Sequence, residues 1–288
     1  MLPGVRRAQI ALRKRTVHVA AQNRRAAPRS ESRLEVRVLL LLAVACSRLP
    51  AHEVLPDAAS ALEVVLRDHP RVLGIGEVHA TLDGPAGRTT LARFTDELLP
   101  VLAPRTTDLA LETWRVQCAA AEAVSTTVQA ETHRPEVTRT ELDVLVERAV
   151  ALGVRPHDLE LTCEEHASVL GPDGEVRYGA LLTLVTDRLR ALGEQALDTP
   201  DASLVLYGGA VHNDVSPPEA TAAWSYGAAL RARAGAAYVE LDLLDPRILR
   251  AKPTLVEPGW AALLDRAGPD HVVLHPRGPG SWVLLLPD

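Results

Sequence analysis

The sequence predicts an α/β fold: a mixed, mainly parallel sheet flanked by helices, with a helical insertion and a C-terminal hairpin. Short apolar runs typical of strands alternate with amphipathic segments at helical spacing, which favours βαβ units and a parallel sheet. Of the 288 residues, 47% are hydrophobic and 24% are charged, as in ordinary globular domains. One α/β domain can hold a chain of the length of residues 47–288. We therefore expect residues 47–288 to form a single domain.

The first βαβ unit is predicted between Asp57 and residue 111. Asp57 precedes a helix over 58–67, and a strand follows over 71–75. A second helix over 88–102 ends before Pro104, and 108–111 reads as the next strand. We expect the two strands to form a parallel pair.

The rest of the chain continues the alternation after the helical insertion. The insertion consists of two predicted helices, 114–131 and 136–152. The later elements, in order, are a strand within 154–161, a helix over 178–192 that ends at Gly193, a strand over 203–207, a helical stretch at 219–233, a strand over 236–243, and a hairpin of 271–275 with 282–286. The hairpin places antiparallel strands at the C-terminal end of the chain.

The N-terminal region differs from the rest of the chain. Residues 1–36 contain nine Arg and Lys residues and few periodic apolar positions, so we expect a disordered arm or a segment added by a wrong start codon. Residues 37–46 are a basic residue, an apolar run too short to span a bilayer, and small residues before Cys46, the layout of an export signal. The stretch 42–46 resembles a bacterial lipobox, which implies lipidation of Cys46 and a protein anchored to the bacterial cell envelope. The alternative is a buried strand that ends in a core cysteine.

If Cys46 is lipidated, Cys118 and Cys163 remain as an even pair in a compartment that permits disulfides. A bridge between them is one interpretation. Two separate buried thiols are the outcome that we expect from the sequence.

Four polar side chains follow predicted strands at the point where each strand ends. Glu77 and His79 come in the loop after the strand 71–75, Glu112 ends the strand 108–111, and His212 follows the strand 203–207. Because the carboxyl ends of parallel strands meet in one crevice, we expect these four residues to share a pocket. Imidazoles and carboxylates bind transition metals or perform general acid–base catalysis.

Other interpretations of these residues stay open, and several classes of site are disfavoured. Glu77 could be a turn residue, and Glu112 could pair with Arg115. The sequence lacks the spacing of dinucleotide, P-loop and serine-hydrolase motifs. With the positive charge concentrated in residues 1–37, we expect no nucleic-acid partner.

The motifs resemble those of a known family. Gly76-Glu77-Val78-His79, Ala110-Leu111-Glu112 and Gly209-Ala210-Val211-His212-Asn213-Asp214 are similar to the three motifs of the ChaN-like haem-binding lipoproteins. That family belongs to a wider superfamily with TIKI/TraB proteases and erythromycin esterases. The resemblance spans about residues 60–245 and implies a strand-end pocket that handles haem or iron, or that hydrolyses a substrate. Residues 80–85 depart from the family because they add no histidine.

Three functional hypotheses follow from the sequence. The first is a membrane-anchored protein that binds haem or a divalent transition metal, with His79 and His212 as ligands, Glu77 and Glu112 beside them, and Tyr207 or Tyr226 as further axial candidates. The second is a metal-dependent hydrolase, protease or esterase, in which the same histidines and glutamates are catalytic. The third is an inactive scaffold. The first two predict a small-molecule ligand.

Overall fold

Eight strands form one mixed sheet in the residues that the structure, a computed structural model, describes: 49–114, 118–257 and 259–287. The strands are β1 (Glu53–Leu55), β2 (Val72–Glu77), β3 (Asp108–Leu111), β4 (Arg155–His157), β5 (Leu204–Gly209), β6 (Tyr238–Leu244), β7 (Val272–Gly278) and β8 (Ser281–Leu285). Their order across the sheet is β1-β7-β8-β6-β2-β5-β3-β4. The pairs from β8 to β4 are parallel, and β7 is antiparallel to both of its neighbours. The predicted fold class is confirmed.

The first two predicted strands do not pair with each other. β2 lies between β5 and β6, and β5 separates β2 from β3. The expectation of a direct β2–β3 pair was therefore wrong. β5, which begins more than ninety residues after β3 ends, lies between β2 and β3. Short-range patterning does not predict such a pairing.

Helices cover both faces of the sheet. The α-helices are α1 (Ala58–Val65), α2 (Thr90–Arg93), α3 (Leu99–Leu102), α4 (Ala119–Thr132), α5 (Val137–Ala151), α6 (Cys163–Ser168), α7 (Tyr178–Asp198), α8 (Ala210–Asn213), α9 (Gly227–Ala234) and α10 (Pro246–Ala251). The predicted helix over 88–102 is one helical stretch in which a π-turn at Phe94–Leu98 joins α2 to α3. Apolar residues of α1, α3 and α5 pack on one face, and those of α7 and α9 pack on the other.

Gly193 does not end a helix as predicted. α7 continues past it to Asp198. A Cβ at Gly193 would lie 2.7 Å from Cδ1 of Leu230 in α9, so the glycine serves close packing between two helices. The sequence alone does not show that α9 packs against Gly193, and this contact explains why a glycine is needed there.

Cys118 and Cys163 form a disulfide, with Cα atoms 6.1 Å apart. The expectation of two separate thiols was wrong. The bridge joins the residue before α4 to the first residue of α6, and these two helices pack against each other. It therefore ties the helical insertion to the segment that follows β4.

Cys46 and residues 1–36 lie outside the described residues, so lipidation, export and the disordered arm stay predictions. Among the described residues, no helix has both the length and the apolar character needed to cross a membrane.

Gly76 lets α8 lie directly against the sheet. A Cβ at this position would come 2.6 Å from the Cα of Ala210 and 2.6 Å from Oδ1 of Asn213, both in α8. Any larger residue must therefore push α8, and His212 within it, away from the strand ends.

Removing the disulfide should destabilise the protein. We expect the Cys118→Ala/Cys163→Ala variant to lose about 2–4 kcal/mol of unfolding free energy, because the bridge closes a loop of 45 residues. Urea unfolding followed by circular dichroism measures the loss. A thiol titration of the denatured, unreduced protein that finds both cysteines free would contradict the bridge.

Replacing Gly76 should disturb the site more than the fold. We expect Gly76→Ala to cost ~1–3 kcal/mol by overpacking and to change ligand binding at the strand ends. Gly278→Ala is the matched control, because apart from its chain neighbours no described residue has an atom within 4 Å of a Cβ built there. Equal effects of the two substitutions, measured by thermal unfolding, would show that the approach of α8 does not depend on Gly76.

Candidate functional site

The four predicted site residues lie at the carboxyl ends of three adjacent parallel strands. Glu77 is the last residue of β2, Glu112 follows β3, and His212 lies in α8 directly after β5. One local prediction was wrong: Glu77 belongs to the strand instead of the following loop, because the parallel ladder continues to its pairing with Gly209. His212 follows the strand as predicted and lies in α8, which begins immediately after it. The predicted crevice is nevertheless the place where all four meet.

Glu77 holds the ring of His79. Nδ1 of His79 lies 2.8 Å from Oε1 of Glu77. Since an ionised carboxylate only accepts, Nδ1 carries the proton, and Nε2 is left with a free lone pair in the neutral ring. Tyr207 donates a 2.6 Å hydrogen bond to the other oxygen of Glu77. This pairing fixes the orientation of His79, whose side chain is 31% exposed.

Glu112 lies between the two histidines. Its Oε2 accepts a 2.6 Å hydrogen bond from the Gly209 N–H and lies 3.9 Å from Nε2 of His79, while Oε1 lies 3.6 Å from Nε2 of His212. Burial by itself raises the pKa of Glu112, but the positive charges of His212 and His79 outweigh it and hold that pKa well below its usual range. Glu112 is therefore an ionised carboxylate at neutral pH.

His212 is held through its Nδ1 atom, and its side chain is only 1% exposed. Its Nδ1 lies 2.9 Å from the carbonyl oxygen of Trp224 and 2.8 Å from Oγ1 of Thr186. A carbonyl only accepts, so Nδ1 bears a proton and Nε2 faces Glu112. Burial lowers the pKa of His212, yet the Glu112 carboxylate reverses this effect and leaves that pKa above its ordinary value.

These residues lie on the wall of a cavity of about 940 Å³. The remaining wall comes mainly from α4, α5 and α7. Its apolar lining includes Trp114, Val128, Leu142, Val146, Leu181 and Val185. The cavity has the size and character of a site for a small organic ligand with an apolar body.

The carboxylates predicted as metal ligands make hydrogen bonds within the protein. Among residues 49–114, 118–257 and 259–287, no group of three or more His, Cys, Asp or Glu side chains has an arrangement that could hold a metal ion. Glu77 is committed to Tyr207 and to Nδ1 of His79, and Glu112 accepts from the Gly209 N–H. The donor atoms thus bond to each other and to the backbone.

The two tyrosines proposed as axial ligands lie elsewhere. Tyr207 is behind Glu77, and burial together with the Glu77 charge raises its pKa well above the usual value, so it is a neutral donor. Tyr226 is buried and packs edge-on against Tyr238. Neither is among the described residues that line the cavity. Arg115, the alternative partner of Glu112, lies outside the described residues.

Several supporting residues were not predicted from the sequence. Thr186 and the carbonyl of Trp224 orient His212, and Asp242 accepts a 2.9 Å hydrogen bond from Asn213, the residue after His212. Arg134, between α4 and α5, lines the cavity. Asp242 and Glu240 are two buried acidic residues in the otherwise apolar strand β6, and this pattern was the signal available for Asp242. Nothing local marks Thr186 or Arg134.

Comparisons with known proteins assign no family. The sequence matches no protein-family profile and no curated protein. Among solved structures, the type III effector HopBA1 is 14% identical, with a TM-score of 0.43 over 82% of this chain and 97% of that one. RRSP, a MARTX toxin effector domain from Vibrio vulnificus CMCP6, is 20% identical, with a TM-score of 0.32 over 54% of this chain and 30% of that one. At these TM-scores the likeness assigns neither a family nor an activity.

The Glu112–His212 pair should make stability depend on pH. The raised pKa of His212 contributes stability fully below its ordinary 6.5, which is lost as pH rises through the folded value. The lowered pKa of Glu112 contributes stability fully above its ordinary 4.5, which is lost as pH falls through the folded value. Both contributions are complete between those two pH values.

We therefore expect Glu112→Gln to cost about 1–3 kcal/mol at pH 5.5 and clearly less at pH 9. Urea unfolding at both pH values measures the two costs. Glu160→Gln, at an exposed glutamate, is the control and should change neither value. A cost of Glu112→Gln that is equal at both pH values would contradict the coupled pair.

Proposed function

We propose that this protein is a hydrolase that cleaves an ester or amide bond by general acid–base catalysis, with Glu77, His79, Glu112 and His212 as its active site. The observation that carries the proposal is the orientation of the two imidazoles. Each ring is held through Nδ1, and both Nε2 atoms face the one carboxylate of Glu112 at the wall of the cavity. Titratable groups with shifted pKa values that converge in a cavity are typical of catalytic sites.

His79 is the general base of the proposed reaction. Its Nε2 is unprotonated in the neutral ring, and Glu77 stabilises the positive charge that appears when Nε2 accepts a proton. A water molecule gives a proton to Nε2 while its oxygen attacks the carbonyl carbon. The bond to the leaving group then breaks, and the same proton passes to the leaving oxygen or nitrogen.

His212 supplies positive charge to the reaction. Glu112 favours the imidazolium form of His212, and burial strengthens the effect of that charge on a nearby oxyanion. Glu112 therefore acts on both rings, since it also lies 3.9 Å from Nε2 of His79.

The activity is tested on the purified full-length chain with p-nitrophenyl esters of increasing acyl length and with a fluorogenic peptide pool. We expect His79→Ala to lower kcat/KM by at least about 100-fold, since general base catalysis contributes that much. Glu77→Gln should lower it by about 10-fold, because the ring loses its orienting carboxylate.

His157→Ala is the matched control. This histidine lies on the neighbouring strand β4, pairs with Asp108 at 2.6 Å, and is not among the described cavity-lining residues. Equal turnover by His79→Ala and His157→Ala would refute the hydrolase proposal. So would a wild-type protein that turns over none of the substrates.

Haem binding is the second candidate function. The observation that favours it is the apolar cavity of about 940 Å³ with the partly exposed His79 on its wall, since a haem needs an apolar slot and an axial nitrogen. A titration with haemin should then give a saturable Soret shift that His79→Ala abolishes and His157→Ala leaves intact. A shift that is equal in both variants would show that haemin binds elsewhere. For this candidate we also propose, from the sequence, that the protein is exported and carries a lipid on Cys46.

A further inference from the structure

Among the described residues, Arg134 has no hydrogen-bond or ion-pair partner at the site. Arg134 lines the cavity, and its Nε is buried with no hydrogen-bond partner in the described part of the chain. Within the described part of the chain, the guanidinium makes no hydrogen bond and no ion pair. Its charge nevertheless acts on Glu112, His212 and Tyr207 at the centre of the site.

The lack of a partner is costly in a half-buried position. Desolvating a guanidinium costs free energy unless hydrogen bonds or an opposite charge compensate. The two carboxylates at the strand ends are already engaged: Glu77 by His79 and Tyr207, and Glu112 by Gly209 and the two histidines. An anion that enters the cavity would therefore supply the missing partner.

The geometry points to a ligand that has an apolar body and an anionic group, a carboxylate or a phosphate, which Arg134 binds. The planar guanidinium matches the two oxygens of such a group. The apolar body would contact the walls contributed by α4, α5 and α7, including Trp114 and Leu181. This inference rests on the proposed function, since it specifies the substrate class of the same site, but binding itself requires no hydrolysis.

The expected position of the anion also orients the substrate. Arg134 stands in the segment between α4 and α5, whereas Glu77 and His79 come from the end of β2. A ligand held at Arg134 is therefore anchored on a different structural element from the one that holds the catalytic base. Anchoring at a second point fixes the reacting bond relative to Nε2 of His79.

Three naphthalene probes test the inference by isothermal titration calorimetry on the full-length chain. They are 2-naphthylacetate, 2-naphthylmethylphosphonate and the neutral 2-(2-naphthyl)ethanol. We expect the wild-type protein to bind at least one anionic probe about 10-fold or more tightly than the neutral probe, as a charge-assisted hydrogen bond predicts. The anion that binds more tightly identifies the carboxylate or the phosphate class.

Arg134→Gln should abolish the preference for the anion while the affinity for the neutral probe stays unchanged. Arg134→Lys should restore part of the preference, and Arg139→Gln, at an exposed arginine on the same cavity, should keep it. The unchanged neutral probe shows that the Gln variant is folded. A wild-type protein that binds no anionic probe, or that shows no preference for one, would overturn the inference. So would a preference that survives in Arg134→Gln, or equal losses for all three probes.

The same experiment separates this inference from the proposed function. Glu77→Gln and His79→Ala should still bind the anionic probe with the wild-type preference. If the preference depends on Arg134 but no substrate is hydrolysed, the hydrolase proposal fails and the anion site stands. If esters or peptides are cleaved but Arg134→Gln leaves the preference among probes unchanged, the anion site fails and the hydrolase stands.

Discussion

The carboxylate of Glu112 lies between two imidazole rings and a backbone N–H. The strand ends are arranged so that these three groups supply the positive charge and the hydrogen bond that the buried carboxylate needs. A carboxylate at this depth stays ionised only if positive charge and donors surround it. The Gly209 N–H and His212 meet that need on one side, and His79 approaches from the other. The order β2-β5-β3 brings these groups together, because it places the end of β5 between the ends of the two outer strands.

Close packing at the strand ends makes this convergence possible. Gly76 and Gly208 leave room on the sheet where α8 and the side chain of Glu112 lie: a Cβ at Gly208 would come 2.7 Å from Oε2 of Glu112. Further contacts then orient the two rings. Tyr207 acts on the His79 ring through Glu77, and Thr186 contacts the His212 ring directly. The site is thus held by hydrogen bonds and close packing on the side of the sheet and is open toward the cavity, where Arg134 supplies a charge that pairs with no described residue.

Much of the fold and the core of the site could be predicted from the sequence, because both depend on local patterns. Strand-like runs that end shortly before Glu77, Glu112 and His212 were enough to place these side chains at one edge, since parallel strands in an α/β sheet share a direction. The insertion of β5 between β2 and β3, the Cys118–Cys163 bridge and the packing role of Gly193 depend on which elements become neighbours. No short-range signal encodes such pairings. For the same reason nothing in the sequence around Arg134 marks it as part of the site, and Tyr207 was predicted as a ligand instead of the donor that holds Glu77.

The central claim is that Glu112 couples the two histidines into one acid–base unit. Long-range ¹H–¹⁵N NMR spectra of the imidazole nitrogens, recorded as a function of pH, test it most directly. The account predicts that His212 titrates with a pKa above 6.5, that its Nδ1 is protonated throughout, and that the pKa of His212 falls in Glu112→Gln, whereas Glu160→Gln leaves it unchanged. A His212 ring that titrates below 6.5 in the wild-type protein, or one whose pKa does not respond to Glu112→Gln, would contradict the account.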